Sequence, residues 1–200
     1  MEKIRLGIFD VFGQIVPGLL QLIALIILAN NNILNLSDAV DAFSQITTNQ
    51  ILLSILASFI LSFSINSAAY FLYKNVGKRI FKRPLMDYTD YKSDIILVRE
   101  FSPKNLSYID EWTAKSAMSY NLSLGFLILL GASFYKLIIF GFSIGWILIS
   151  LFSIVVSFIL LKKAVLFQDW YLQDLQSTVR ELYLKEKAKQ FAQIKLDEKN

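Results

Sequence analysis

A chain of 200 residues that is 55% hydrophobic and only 18% charged is too apolar for an ordinary soluble domain. It holds no cysteine and no histidine, which excludes disulfides, thiol chemistry, histidine catalysis and His/Cys metal sites. The net charge is only +4, but its 20 basic residues are distributed very unevenly along the chain.

The first apolar stretch, Val11–Ala29, follows Lys3 and Arg5. A cleaved signal has a core of about 7–15 residues with small residues at both cleavage positions. This stretch is longer, and Ile27 would sit at the −3 position, so it reads as a retained spanning helix. Its entry, Asp10-Val11-Phe12-Gly13-Gln14-Ile15-Val16-Pro17-Gly18, is the most distinctive local pattern. Pro17 cannot donate a backbone hydrogen bond and presses on the carbonyl four residues earlier, at Gly13, while Gly18 loosens the next turn. A break is expected there, either as a kink that improves packing or as a hinge or a site for docking a partner. Gln14 and Gln21 lie on nearby faces and can bond across helices or line a wet path.

The segment Asn30–Gln50 carries Asp38 and Asp41 and no basic residue, and reads as a polar loop. A second apolar stretch, Ile51–Tyr73, contains Ser62, Ser64, Asn66 and Ser67. Such residues usually bond helix to helix, and Asn66 is the best candidate for a pore-lining amide. A basic cluster follows at Lys74, Lys78, Arg79, Lys82 and Arg83. Beside a membrane it sets orientation and attracts anionic lipid, and it can also contact a partner. Phosphates of nucleic acid need only similar charge, but the aromatic residues there read as interface residues, so nucleic-acid contact is expected to be absent or indirect. The second helix is expected to stop before Pro84, with 84–101 irregular and a short strand at Ile95–Val98. Ser102-Pro103 has the form of a helix start, with serine as N-cap and proline in the first turn.

Two further apolar stretches, Met118–Tyr135 and Ile138–Leu161, are expected to meet at a short turn near Lys136. Gly141 and Gly145 form a Gly-x-x-x-Gly suited to close helix packing. The last helix is expected to run far into the tail. Leu172, Leu175, Val179 and Leu182 make a short seam there, which either packs on the chain's own basic segment or contacts another subunit.

Each apolar stretch approaches the roughly 20 residues needed to cross hydrocarbon, and unpaired backbone groups are costly in lipid. The expected fold is therefore all-α: an integral membrane protein of four transmembrane helices in two hairpins. The expected parts are a first hairpin (1–73), a basic segment (74–117), a second hairpin (118–161) and a helical tail (162–200). Of the 20 lysines and arginines, 19 fall on one side of this layout, which makes that side, with both termini, cytoplasmic.

No catalytic set, cofactor motif or metal-ligand pattern is visible, so the chain reads as a non-enzyme. The one adjacent acidic pair, Asp110-Glu111, points in different directions on a helix. The expected spans hold no ionisable side chain, which argues against pumping and proton-coupled exchange.

The pattern Asp10, Gly13, Pro17, Gly18, the four spans and the basic central segment resemble small bacterial membrane proteins of antiviral defence. Two such families fit: the membrane subunit of the Kiwa antiphage system, and the membrane accessory of RNA-targeting CRISPR loci. The resemblance implies an inner-membrane homo-oligomer that senses or answers infection with a cytoplasmic protein partner. A stand-alone pore and a scaffold unrelated to defence are the other readings.

Overall fold

Once the chain leaves water its backbone amides must bond within a segment, and helix is the solution this chain takes. The computed structural model describes residues 8–84 and 91–197, with side chains described for 13–84 and 91–187. In order the helices are α1 (Ile8–Ala29), α2 (Leu36–Ser44), α3 (Thr48–Leu72), a π-helical turn (Tyr73–Gly77), α4 (Lys78–Ile80), α5 (Tyr91–Phe101), α6 (Pro103–Phe140) and α7 (Ile144–Asp197). Among the described residues there is no strand, and the segment expected to be irregular with a strand at Ile95–Val98 is α5 from Tyr91 onward. The short apolar run Ile95–Val98 fits a strand or a buried helix equally, and here Ile95 and Val98, three residues apart, share one helical face that packs inward.

Three helices are long and apolar enough to cross a membrane: Thr48–Ile80, Pro103–Phe140 and Ile144–Lys187. The fourth expected span, α1, has a shorter apolar part, Gly13–Ala29.

The chain divides into two units. The first comprises the described residues up to Lys82 together with Ala114–Val165. It has an apolar cluster of Ile27, Ile33, Ala39, Ala132 and Trp146, but its packing is otherwise unlike that of a soluble protein. Many buried positions are small or polar, among them Gln21, Ser58, Ser62, Ser116, Ser119, Asn121, Ser123, Ser133, Ser150, Ser153 and Ser157, while Leu53, Phe63, Ile138 and Phe142 stand 66–82% exposed. Helices in lipid gain little from burying leucine against leucine, so small residues that admit close backbone approach take the interior. On α7 the inward stripe Trp146, Ser150, Ser153, Ser157, Leu161 and Ala164 keeps a three-to-four spacing.

The closest approach is between α1 and α3. A methyl group at Gly18 would overlap the carbonyl oxygen of Ser58, so only glycine fits. Pro17 lies fully buried inside α1. Gly13 is less constrained, since a Cβ there would lie 3.8 Å from that of Met118.

At the end of the bundle that carries α2, the structure departs from expectation. The supposed loop contains α2, whose start is held by Asp38 Oδ2, which accepts from the amides of Leu34 and Asn35 at 2.8 Å. Helix α6 does not turn near Lys136 but runs to Phe140 and ends at Gly141, whose φ of +87° suits glycine. Gly141 and Gly145 are therefore not a helix-packing pair. Gly141 terminates a helix, and Gly145 makes room for Leu36, 3.1 Å from where a Cβ would lie. Lys136 is consequently inside α6 and fully buried, donating from Nζ to the Asn30 carbonyl at 2.8 Å and lying 4.9 Å from the Phe140 ring centroid. It caps the negative end of α1. Trp146, also fully buried, donates from Nε1 to the Leu34 carbonyl at 2.7 Å.

The second unit comprises Arg83–Thr113 and the chain from Leu166 onward. Its core is conventional: Val98 from α5, Leu106 and Ile109 from α6, and Tyr171, Leu172, Leu175 and Val179 from α7. The seam read in the tail thus packs on the chain's own helices.

Replacing Gly18 by alanine forces α1 and α3 apart and is expected to cost about 3 kcal/mol or more, the upper range for overpacking. Gly131→Ala has nothing within 4 Å to meet and is expected to gain roughly 0.5–1 kcal/mol from helix propensity. Thermal unfolding of the detergent-solubilised protein compares them, and equal stability of the two variants would overturn the packing assigned to Gly18.

Candidate functional site

Amides are expensive in an apolar interior unless paired, so a cluster of them marks either structure or a polar path. Three residues singled out in the sequence meet inside the first unit. Ser62 Oγ of α3 donates to Gln14 Oε1 of α1 at 2.9 Å. Asn121 of α6 donates from Nδ2 to Asn66 Oδ1 of α3 at 3.0 Å. Gln21 of α1 donates from Nε2 to the backbone oxygen of Asn121 at 3.5 Å. The contacts form two sets, Gln14 with Ser62 between α1 and α3, and Gln21 and Asn66 joined through Asn121 across α1, α6 and α3. Two buried oxygens in the second set, Gln21 Oε1 and Asn121 Oδ1, have no partner. Asn121 escaped the sequence reading, although an asparagine inside an apolar run was the available signal. Ser64 and Ser67 point outward, and Ser64 Oγ bonds its own helix at Ile60 O, 2.8 Å away.

The basic cluster divides. Lys74, Lys78, Arg79 and Lys82 belong to the first unit, and Arg83 to the second. Lys74 and Arg79 are exposed and Lys78 is half-buried. The π-helical turn puts Lys78 in phase with Tyr73. The Lys78 amide bonds the Tyr73 carbonyl, five residues back, and the ammonium lies 5.3 Å from the Tyr73 ring centroid. Residues five apart in an α-helix point about 140° away from each other, so the wider turn is what creates this contact. Tyr73 in turn stacks on Tyr120 at 5.5 Å, with Tyr70 close to both at 6.0 and 6.1 Å.

The second unit holds an aromatic group of its own. Trp112, Phe167 and Trp170 have ring centroids 4.9–5.9 Å apart, and Trp112 Nε1 donates to Asp174 Oδ2 at 2.8 Å. Beyond its core, large apolar side chains stand open: Ile96, Phe101, Tyr108, Tyr183 and Leu184 are each 56–63% exposed. Leu97, Phe101, Leu182, Tyr183, Lys185 and Glu186 line a cleft of about 710 Å³ between α5 and α7.

Among the described residues no group of acidic side chains could hold a metal ion. No family model, curated protein or solved structure matches the chain, so function has to be argued from these sites themselves.

If the amides serve as helix-to-helix bonds, a double-mutant cycle on Asn66→Ala and Asn121→Ala should give a coupling of about 0.6–1.7 kcal/mol, the range for such bonds in membranes. Additive single effects, read from unfolding in detergent, would show that the bond does not hold the helices together.

Proposed function

We propose that the chain is a membrane-anchored interaction protein that presents a helical unit to a soluble protein partner. In this reading α1 is a fourth span beside α3, α6 and α7. The protein sits multi-pass in a bacterial inner membrane with both termini, and hence the second unit, in the cytoplasm. The observation that carries the reading is the exposed apolar surface of the second unit. A water-facing unit of about 60 residues that leaves Phe101, Tyr108, Tyr183 and Leu184 open, next to a cleft lined by Lys185 and Glu186, has the makings of a docking face rather than a finished surface. The resemblance of the layout to defence-associated membrane proteins extends this proposal. The chain would be an oligomeric sensor or effector of antiviral defence, acting through partner recruitment or membrane perturbation and not as an enzyme.

The partner to test first is a soluble protein encoded beside this gene. Co-expressed with the full chain, it should co-purify in a fixed ratio. Phe101→Asp with Tyr183→Asp should lower recovery about tenfold or more, as loss of central apolar anchors does. Undiminished binding by that double variant, or no binding of any neighbouring product, would refute the docking face.

A pore-forming oligomer is favoured by one separate observation, the unpaired buried oxygens of Gln21 and Asn121 within the apolar spans. That reading expects ion current from purified protein in planar bilayers, with Gln21→Leu reducing it. Silence of the unmodified protein under resting and infected-cell conditions removes it.

A further inference from the structure

We infer that the basic end of the first unit is a site for the phosphodiester headgroup of an anionic phospholipid, at the seam between the end of α3 and α7. The inference concerns the anchor and stands whether or not the second unit has a partner.

The first unit gathers cations from two helices: Lys74, Lys78 and Arg79 near the end of α3, and Lys162 and Lys163 on α7. Its sequence contains no acidic residue from 42 to 82 or from 114 to 165.

Packing brings these cations to one level. A Cβ on Gly77 would lie 3.0 Å from Leu161, and Phe81 meets Phe158 edge to face at 4.8 Å, so the end of α3 runs directly alongside α7. Ser116 Oγ donates to the Ala164 carbonyl at 2.9 Å, which sets the start of the α6 span at the same height. Lys162 and Lys163 follow Leu161 immediately, while Lys78 follows Gly77. Lys162 and Lys163 stand exposed on α7 while Lys78 is half-buried, so the cations share one level at this end, where an anion with several acceptor oxygens is favoured.

Two features separate a built site from charge that only fixes orientation. Orientation requires lysine anywhere in the loop, whereas here a π-helical turn brings Lys78 half-buried over Tyr73. The tyrosines Tyr70, Tyr73 and Tyr120 then line the depth at which amphipathic rings meet headgroups. Apolar surface for acyl chains lies alongside, with Phe71 at 68%, Ile80 at 56% and Phe158 at 51% exposure.

The test uses the full chain in neutral detergent, offered equal amounts of phosphatidylglycerol and phosphatidylcholine, with retained lipid counted by native mass spectrometry. Phosphatidylglycerol should be retained preferentially. Lys78→Gln and the pair Lys162→Gln with Lys163→Gln should each weaken its retention, by about fivefold per lysine removed. The pair Lys185→Gln with Lys187→Gln, in the second unit, should change nothing. Size-exclusion profiles establish that each variant is folded before it is scored. Soluble glycerol phosphate or inorganic phosphate should fail to displace the lipid. Equal retention of the two lipids, an effect of the Lys185/Lys187 pair as large as that of Lys162/Lys163, or displacement by inorganic phosphate would each overturn the assignment.

Discussion

The contact between Gly18 and the backbone of Ser58 is the constraint around which the first unit is arranged. Where burial of apolar surface no longer drives helices together, the available forces are close packing and interhelical hydrogen bonds, and both require short distances between backbones. Gly18 supplies that distance at the crossing of α1 and α3. One turn before it, Gln14 comes within reach of Ser62, and about one turn after it, Gln21 reaches the backbone of Asn121. A side chain at Gly18 would lengthen the Gln14–Ser62 bond, which spans the same two helices. The motif that looked like a hinge in the sequence is therefore also a clasp. Its proline lies inside a helix, and its second glycine is the point of closest approach.

Much of the helical layout was legible because hydropathy and helix-start chemistry act locally. Ser102-Pro103 marked the start of α6, and the absence of glycine and proline beyond Gly145 matched the length of α7. What was not legible depended on contacts between distant segments. Lys136 looked like the marker of a turn, since a lone cation between two apolar runs ordinarily faces water. Its ammonium instead bonds the Asn30 carbonyl, 106 residues away in sequence, and with that bond the helix can continue to Gly141. The same displacement dissolved the Gly-x-x-x-Gly pairing, because one of its glycines fell outside the helix. Helix α2 was hidden for another reason: Asp38 serves as its cap, and in isolation a nine-residue polar helix is too short to announce itself. Of the candidate site, Gln14, Gln21 and Asn66 could be named from the sequence, but the pairing of Gln14 with Ser62 and the joining of Gln21 and Asn66 through Asn121 could not.

Lys136 also bears on what the spans can do. The sequence suggested spans free of ionisable groups, yet one cation lies buried within α6. It sits at the end of the bundle opposite the basic collar and is held against a helix C-terminus, where a positive charge is stabilised. Its one recorded hydrogen bond and its ring contact give it a role in closing that end.

The composition of the buried stripe changes along single helices, and the place where it changes carries information that hydropathy does not. On α7 the inward positions are Ser150, Ser153 and Ser157, then Leu161, Ala164 and Val165, and then Tyr171, Leu172, Leu175 and Val179. On α6 they pass in the other chain direction from Leu106 and Ile109 to Ser116, Ser119 and Ser123. A helix in water must hide its large apolar residues, whereas a helix in lipid can leave them outside and pack on small ones. The inversion on α7 falls between about Leu161 and Tyr171, and on α6 between Ile109 and Ser116. These intervals contain Lys162, Lys163 and Lys115, and they bracket the division between the two units. Charge and packing thus mark the same boundary by separate physical routes, since the lysines and the change from serine to leucine in the buried stripe fall in the same intervals of both helices.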